Sequence, residues 1–284
     1  MPRIDGQAAD PIIERMRGGD TRVRSLLITI YHDLILPRGG EIGITALQRI
    51  FEVLGLEPGA VRTAVSRLVA DGWLVRRRDG RASYYRLVES LVHDTTDGAR
   101  RVYAARGRMS SVNWMLVHCQ DAEAHGVAAK LLEAGFLTPV RDVFLWPLVR
   151  PAPQDVIPSD AIVTRGVLGL GPAHRQALCP PDTAAAYRAL SRDIVQVRAD
   201  LEAGTLTMER AIALRLLLIH RWQGILLSHP ELSAETEPAG WPSEETRAQV
   251  AGLYRAVLPL SEAWLRKNVL ETRGVAQKDL PTRF

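Results

Sequence analysis

Ile42-Gly-Ile-Thr-Ala-Leu-Gln-Arg-Ile-Phe-Glu-Val-Leu-Gly55, Leu56-Glu-Pro-Gly-Ala-Val-Arg-Thr-Ala-Val-Ser-Arg-Leu-Val-Ala-Asp-Gly72 and Trp73-Leu-Val-Arg-Arg-Arg-Asp-Gly-Arg-Ala-Ser-Tyr-Tyr-Arg-Leu87 are consecutive runs with different rhythms. In the first, Leu47, Ile50, Phe51 and Leu54 recur at helical spacing, with Thr45 placed to cap the helix and Gly55 to end it. In the second, Pro58 suits a first helical turn, where a missing N–H costs little, and Gly72 stops the helix. Val61, Ala64, Val65 and Leu68 share one side of that helix; Thr63, Ser66 and Arg67 share the other, with Arg62 on the flank. In the third, Trp73 to Arg77 reads as a strand and Arg78-Asp79-Gly80-Arg81 as a turn, because Asp-Gly tolerates positive φ. Ala82 to Leu87 returns, with Tyr84 and Tyr85 on opposite faces, one for the core and one for a sugar-phosphate backbone. Helix, turn, helix, two-stranded ribbon is the layout of a winged helix-turn-helix.

The charge of this stretch points to its partner. From Ala60 to Arg86 there are seven arginines and two acids, 7 − 2 = +5, while the whole chain is +4. A solvated surface intersperses signs; positive charge concentrated on a ribbon and a helix is the footprint of a phosphate binder. The expected partner is double-stranded DNA. Arg62, Thr63, Ser66 and Arg67 are placed to read base edges in a major groove, the wing arginines Arg77, Arg78 and Arg81 to hold phosphates and Tyr84 to lie against the backbone; Thr45, at the helix start, belongs to the same DNA-contacting set.

The rest of the chain narrows the class. Its 284 residues suggest two or three domains, with 46% hydrophobic and 24% charged residues enough for a sizeable core. Cys119 and Cys179 stand far apart without metal-ligand spacing, which fits a reducing cytoplasm and no disulfide framework. No apolar signal region opens the chain, and no apolar run reaches membrane-spanning length. Residues 1–20 read as a loose arm. Thr21 to Leu36 reads as a support helix ended by Pro37, and Val88 to about Ser110 as a charged linker helix with Arg100, Arg101, Arg106 and Arg108.

A different pattern starts at Val112. Trp114–Cys119, Phe136–Leu137, Val143–Leu148 and Ala161–Leu168 read as extended, and Asp121–Ala134 as an amphipathic helix carrying Val127, Leu131 and Leu132, ended by Gly135. Strand, helix, two strands and a last strand suggest a small α+β sandwich of ferredoxin-like type. Pro151–Pro158 reads as a loop. Gly166-Val-Leu-Gly-Leu-Gly171 reads as a turn, since it matches no phosphate-binding fingerprint. Three helices follow: Asp182 to Gly204 with Asp182 as cap, Thr207 to about Ser228 with an apolar centre, and one from Ser243 that Pro259 should kink.

The head, from Leu36-Pro-Arg-Gly-Gly-Glu41 through Val61–Leu74 to Arg81-Ala-Ser-Tyr-Tyr-Arg-Leu87, resembles the phenylacetate-degradation repressor (PaaX) family. The resemblance resumes at Ala213-Leu-Arg-Leu-Leu-Leu-Ile-His-Arg-Trp222, His229-Pro-Glu-Leu232, Pro238-Ala-Gly-Trp-Pro242 and Leu253-Tyr-Arg-Ala-Val-Leu258. It implies an α+β chain with an N-terminal winged helix-turn-helix, a central ferredoxin-like (Cas2-like) domain and a C-terminal all-helical domain. The segments are an arm (1–20), head (21–90), linker helix (91–110), central domain (111–178), helical effector and dimerisation domain (179–270) and tail (271–284). The resemblance further implies a homodimeric repressor of an aromatic-catabolism operon, released by phenylacetyl-CoA or a related acyl-CoA. In that role Arg215 and Arg221 would meet phosphates, and Trp222, beside His220, an aromatic acyl group or adenine. Each also has a plain reading, Trp222 as core and His220 as a buried imidazole. The sequence departs from the family pattern at Gln223-Gly224, Ser228-His229-Pro230 and Thr236-Glu237-Pro238, all in the C-terminal half.

Two other classes stand beside this one. A DNA-binding scaffold needs no small-molecule effector. A metal-dependent nuclease in the central domain would draw on Asp121 and Asp142. His118 and Cys119 are adjacent on a strand and so point to opposite faces. No set of catalytic roles assembles, so a regulator without cofactor is expected rather than an enzyme.

Overall fold

The computed structural model describes residues 11–17, 23–92, 101–103, 113–148, 151–228, 232, 236–269 and 284. In chain order the helices and strands are α1 (Pro11–Arg17), α2 (Val23–Ile30), β1 (Glu41–Gly43), α3 (Ile44–Glu52), α4 (Pro58–Ala70), β2 (Leu74–Asp79) and β3 (Ala82–Leu87). Then come β4 (Trp114–His118), α5 (Val127–Glu133), β5 (Leu137–Val140), β6 (Val143–Pro147), β7 (Ile162–Gly166) and α6 (Pro172–Leu178). The long helices α7 (Pro181–Glu202), α8 (Met208–Ser228) and α9 (Ser243–Asn268) complete the described structure. It is α+β, with two antiparallel sheets and a helical C-terminal part. The chain forms two compact units, one of residues 1–104, 187–228 and 245–284, the other of 105–186 and 229–244.

In the first unit, Leu26, Leu27 and Ile30 of α2 and Leu34 beyond it are buried, as their spacing predicts. Helix α2 runs into one π-helical turn, Tyr31–Ile35, and a 3-10 turn, Leu36–Arg38, holding Pro37. Pro37 thus tightens the helix end rather than cutting it. Helix α3 begins one residue before Thr45: Gly43 is the cap, no side chain bonds the free N–H groups, and Thr45 is an exposed first-turn residue. The Thr45 capping expectation is therefore corrected; the extended backbone needed at the cap is already supplied by the end of β1. Leu47, Ile50, Phe51 and Leu54 are buried, and so are Val61, Val65 and Leu68 of α4. Helix α4 ends in a Schellman motif: Gly72 N–H donates to Val69 O at 3.2 Å and Trp73 N–H to Leu68 O at 2.8 Å. Gly72 has φ +72°, which the motif requires and a Cβ opposes. Strands β2 and β3 pair from Leu74↔Leu87 to Asp79↔Ala82, leaving Gly80-Arg81 as a two-residue turn, one step tighter than the sequence reading. Strand β1 pairs along the other side of β3.

Residues 187–202 of α7, all of α8 and α9 from residue 245 onward lie in the same unit. Ala211 to Ile219 of α8 is buried all round. Thr207 caps this helix, its hydroxyl accepting from Arg210 N–H at 3.2 Å, as expected. Asp182 does not cap α7, which starts at Pro181, because the short helix α6, unforeseen in sequence, leads directly into it. Helix α9 continues through Pro259 to Asn268. Part of the supposed arm is structured: Ile12 and Met16, one turn apart on α1, are buried, and Arg15 donates to Asp193 at 3.0 Å and Gln196 at 2.6 Å. Two apolar residues at i and i+4 suffice to seat a short helix, which charge balance alone did not reveal. Residues 1–10 and 18–20 of the arm, most of the linker helix with Arg100, Arg106 and Arg108, and 270–283 of the tail lie outside the described residues.

The second unit is built on a four-stranded sheet in the order β5-β6-β4-β7, antiparallel throughout. Met115, Val117, Phe144 and Trp146 form one core with Leu131 of α5, while Trp114 and Leu145 pack with Leu178 and Cys179 on the other side. The helix expected from Asp121 is shorter. Gly126 sits at φ +66° and Asp121 at φ +52°, so residues 121–126 make turns and only Val127–Glu133 is helical. Leu132, placed in sequence on the apolar face, is exposed.

Candidate nucleic-acid interface

Helix α4 presents a polar, cationic face because its apolar residues recur at one side. With Val61, Val65 and Leu68 turned inward, Arg62, Thr63, Ser66 and Arg67 are all exposed. The Thr63 hydroxyl donates to Gly59 O at 3.1 Å within the helix, leaving its lone pairs outward. Arg62 and Arg67 form no ion pair among the described residues. Helix α4 is held against α3 by Gln48, whose side-chain amide donates to Pro58 O at 3.1 Å.

The hairpin divides its arginines into two groups. Arg77 is committed: its Nε and Nη2 donate to the two carboxylate oxygens of Glu41 at 2.9 and 2.7 Å, Nη1 reaches Asp79 at 3.3 Å, and the guanidinium lies over Tyr84 at 4.8 Å. Hydrogen bonding to Glu41 first, then the nearby carboxylates, holds its pKa above the ordinary arginine value. Arg76 likewise donates to Ser83 at 2.7 and 3.1 Å. Arg78 and Arg81, at the tip, are exposed and have no carboxylate partner among the described residues. Tyr85 is the core tyrosine, and Tyr84 is half-buried under Arg77. Arg77 is therefore placed to orient Tyr84 and tie the hairpin to β1, rather than to offer a free guanidinium to phosphate.

The four residues read as effector contacts do not converge. Arg215 is 0% exposed, and each of its guanidinium nitrogens has protein acceptors. Nε donates to Asp33 Oδ2 at 2.7 Å; Nη1 to Ser261 at 3.2 Å and to Glu262; Nη2 to Tyr254 at 3.1 Å and Asp33 O at 3.5 Å. Asp33 also accepts from Tyr103 at 2.6 Å and Tyr254 at 2.9 Å, and Glu262 from Arg38 at 2.6 Å. Two arginines and two carboxylates balance to zero, which is what makes burial of four charges tolerable. No donor of Arg215 is left for a ligand phosphate. Trp222 is buried, donates to Val102 O at 3.0 Å and lies against Tyr187 and Arg247, so it is core. His220 Nδ1 meets the Thr29 hydroxyl at 3.1 Å; burial first, then Arg221, lowers its pKa. Arg221 donates to Asp193 and to Arg15 O, each at 3.1 Å, and secures α1. Asp33, Arg38, Tyr254 and Glu262 are not singled out by the sequence; the one signal is that Asp33, Arg38 and Glu262 are charged residues set among aliphatic ones.

In the second unit, Asp142 is a turn residue at φ +63° that accepts from Ala122 N–H at 3.0 Å. Among the described residues no group of three His, Cys, Asp or Glu is placed to hold a metal. Cys119 and Cys179 are free and buried; burial pushes both thiols up, Cys179 to about 12. Thiols held protonated are poor nucleophiles. No described helix is long and apolar enough to cross a membrane.

The family model of the PaaX-like protein matches residues 22–91, and that of the PaaX-like protein C-terminal domain matches residues 181–267. The chain is 28% identical over 263 residues to the transcriptional repressor PaaX of Escherichia coli (strain K12), covering 85% of this chain and 82% of that one. Among solved structures it is similar to the uncharacterized protein Rv0674 from Mycobacterium tuberculosis, with TM-score 0.52 and 20% identity, over 84% of this chain and 97% of that one. At that identity the likeness is one of fold alone.

Proposed function

The chain belongs to the PaaX-like family, and on that premise we propose that it is a DNA-binding transcriptional repressor, a regulator rather than an enzyme. In this reading α3, the turn and α4 are a helix-turn-helix, and β2–β3 is its wing. Helix α4 enters a major groove with Arg62, Thr63, Ser66 and Arg67 toward base edges, while Arg78 and Arg81 meet phosphates. The strand order of the second unit supports a ferredoxin-like reading. One observation carries the proposal: the exposed guanidinium groups of Arg62, Arg67, Arg78 and Arg81 have no carboxylate partner among the described residues, next to a relative named as a repressor. Unbalanced, exposed guanidinium groups gain most by releasing counterions from duplex DNA.

Two copies reading two half-sites would produce a partly palindromic operator. Selection from a random duplex library, followed by sequencing, tests this. A two-fold symmetric consensus is expected, and binding that enriches no sequence would sink the repressor reading. The release signal in this proposal is an acyl-CoA thioester, phenylacetyl-CoA or a related one, acting in the cytoplasm on a catabolic operon. The burial of Arg215 and Trp222 moves its contacts away from both. Calorimetry with phenylacetyl-CoA and other acyl-CoAs, with and without operator, is the check; heat from none of them leaves a repressor without such an effector. A ligand can release DNA only by its differential affinity for the free form.

A further inference from the structure

Three aromatic rings meet at the rim of the first unit. Phe284 packs against Tyr103 and against Tyr254, each at 5.2 Å between centroids, with the planes inclined at 70° and 57°. Tyr103 and Tyr254 are themselves 5.9 Å apart at 67°. Inclined contacts of this kind set the positive edge of one ring against the negative face of the next. All three residues belong to the same unit. The two tyrosines form walls that do not depend on Phe284. Both hydroxyls donate to the buried Asp33, at 2.6 and 2.9 Å, and Asp33 is in turn paired with Arg215. Tyr254 is buried and Tyr103 half-buried, whereas Phe284 keeps part of its surface in solvent. Phe284 O accepts from the exposed Arg255, next to Tyr254 on α9, at 3.3 Å.

We propose that the slot between Tyr103 and Tyr254 is a binding site for an aromatic ring joined through a short chain to a carbonyl or carboxylate, and that Phe284 is its resident occupant, which such a ligand displaces. The proposal rests on the reading of the protein as a regulator released by an aryl acyl effector, and names where the aryl group goes. The occupant supplies the chemistry. In a phenylalanine residue a methylene and the Cα separate the ring from the carbonyl, so the slot already holds a phenylpropanoyl fragment, its ring against two tyrosines and its oxygen at Arg255. A ligand of the same outline finds both recognition elements in place. Because Asp33 fixes the tyrosines, the slot stays formed when Phe284 leaves, and little ordering is left for the ligand to do. Phe284 is a single side chain at the rim, so its departure does not open the core. The slot also bears on the head. Asp33 lies on the π-helical turn after α2, and that turn leads through β1 into α3. A ligand that shifts either tyrosine acts on the carboxylate that anchors this turn, which supplies the differential affinity that release requires.

Calorimetry of the full chain tests this with phenylacetate, 3-phenylpropanoate, phenylacetyl-CoA and, as the probe without a ring, acetyl-CoA. Phe284→Ala empties the slot and leaves its walls, so ringed probes should bind this variant about tenfold more tightly than the parent, while acetyl-CoA shows no such gain. A gain seen with the free acids makes an aromatic acid the ligand; a gain confined to phenylacetyl-CoA makes it the thioester; either upholds the slot. In the Phe284→Ala background, Tyr103→Leu should abolish the gain. Tyr103→Phe, which keeps the ring and loses only the hydroxyl, should retain most of it. Binding without a gain for any ringed probe, a gain shared by acetyl-CoA, or one that survives Tyr103→Leu overturns the slot and leaves the effector reading standing. No binding of any ringed probe to either protein removes both.

Discussion

Arginine is used in two opposite ways in this protein, and the difference is one of partners rather than residue type. Arg67 is exposed and unpaired among the described residues; Arg215 is enclosed, with every donor satisfied. On DNA, Arg67→Ala is expected to cost about 1–3 kcal/mol and to relax base preference at one operator position. Titrations against operator and single-base variants will show it; unchanged selectivity would remove Arg67 from the reading set. Arg78→Ala should instead weaken binding to all sequences alike and lower the salt slope by about one. For Arg215→Met the readout is stability. With Asp33 left buried without its cation, while Glu262 keeps Arg38, denaturant unfolding should lose about 3–5 kcal/mol. Adding Asp33→Asn should recover part of that loss, because the stranded charge is then removed and the Arg38–Glu262 pair that remains is neutral. A double variant no more stable than Arg215→Met would show that packing, not charge, dominates there.

At the scale of elements, α4 is bounded by backbone chemistry at both ends. Its C-terminal glycine sits where a side chain is strained, while Gly59 in the first turn has negative φ and open space where a methyl group would stand, with nothing within 4 Å. Thermal unfolding should therefore separate two formally identical changes. Gly72→Ala is expected to destabilise by roughly 1 kcal/mol or more, and Gly59→Ala to stabilise by about 0.4–1 kcal/mol. Equal shifts of the same sign would contradict the Schellman assignment. The π-helical turn after α2 carries Asp33 into contact with Arg215 and Tyr254, so this turn aims a carboxylate as well as joining helix to strand.

At the scale of the whole molecule, pH acts through His220, which meets Thr29, itself bonded to Gln223, and feels the charge of Arg221. Its folded pKa lies below the ordinary 6.5, so the unfolded chain takes up the proton first as pH falls. The stability His220 contributes is full above the unfolded value and is lost as pH drops through it toward the folded one. Urea midpoints should therefore fall below about pH 6.5, and His220→Gln should flatten that fall; an unchanged slope in the variant would assign it to other groups. Much of the architecture was legible beforehand because it obeys local rules. The spacing of Val61, Val65 and Leu68 and the glycines at 55 and 72 specified a helix pair with one polar face, and no distant residue was needed to read them. The α4 face and hairpin tip were found the same way, since exposure follows from periodicity. Pairings across the chain were not legible: Glu41 with Arg77 is 36 positions apart and Asp33 with Arg215 is 182. Periodicity assigns a side chain to a face, but the partner on that face comes from another segment. Only folding could therefore show that Arg77 and Arg215 are bound to carboxylates of the protein itself, while Arg67 and Arg78 stand exposed without a carboxylate partner among the described residues.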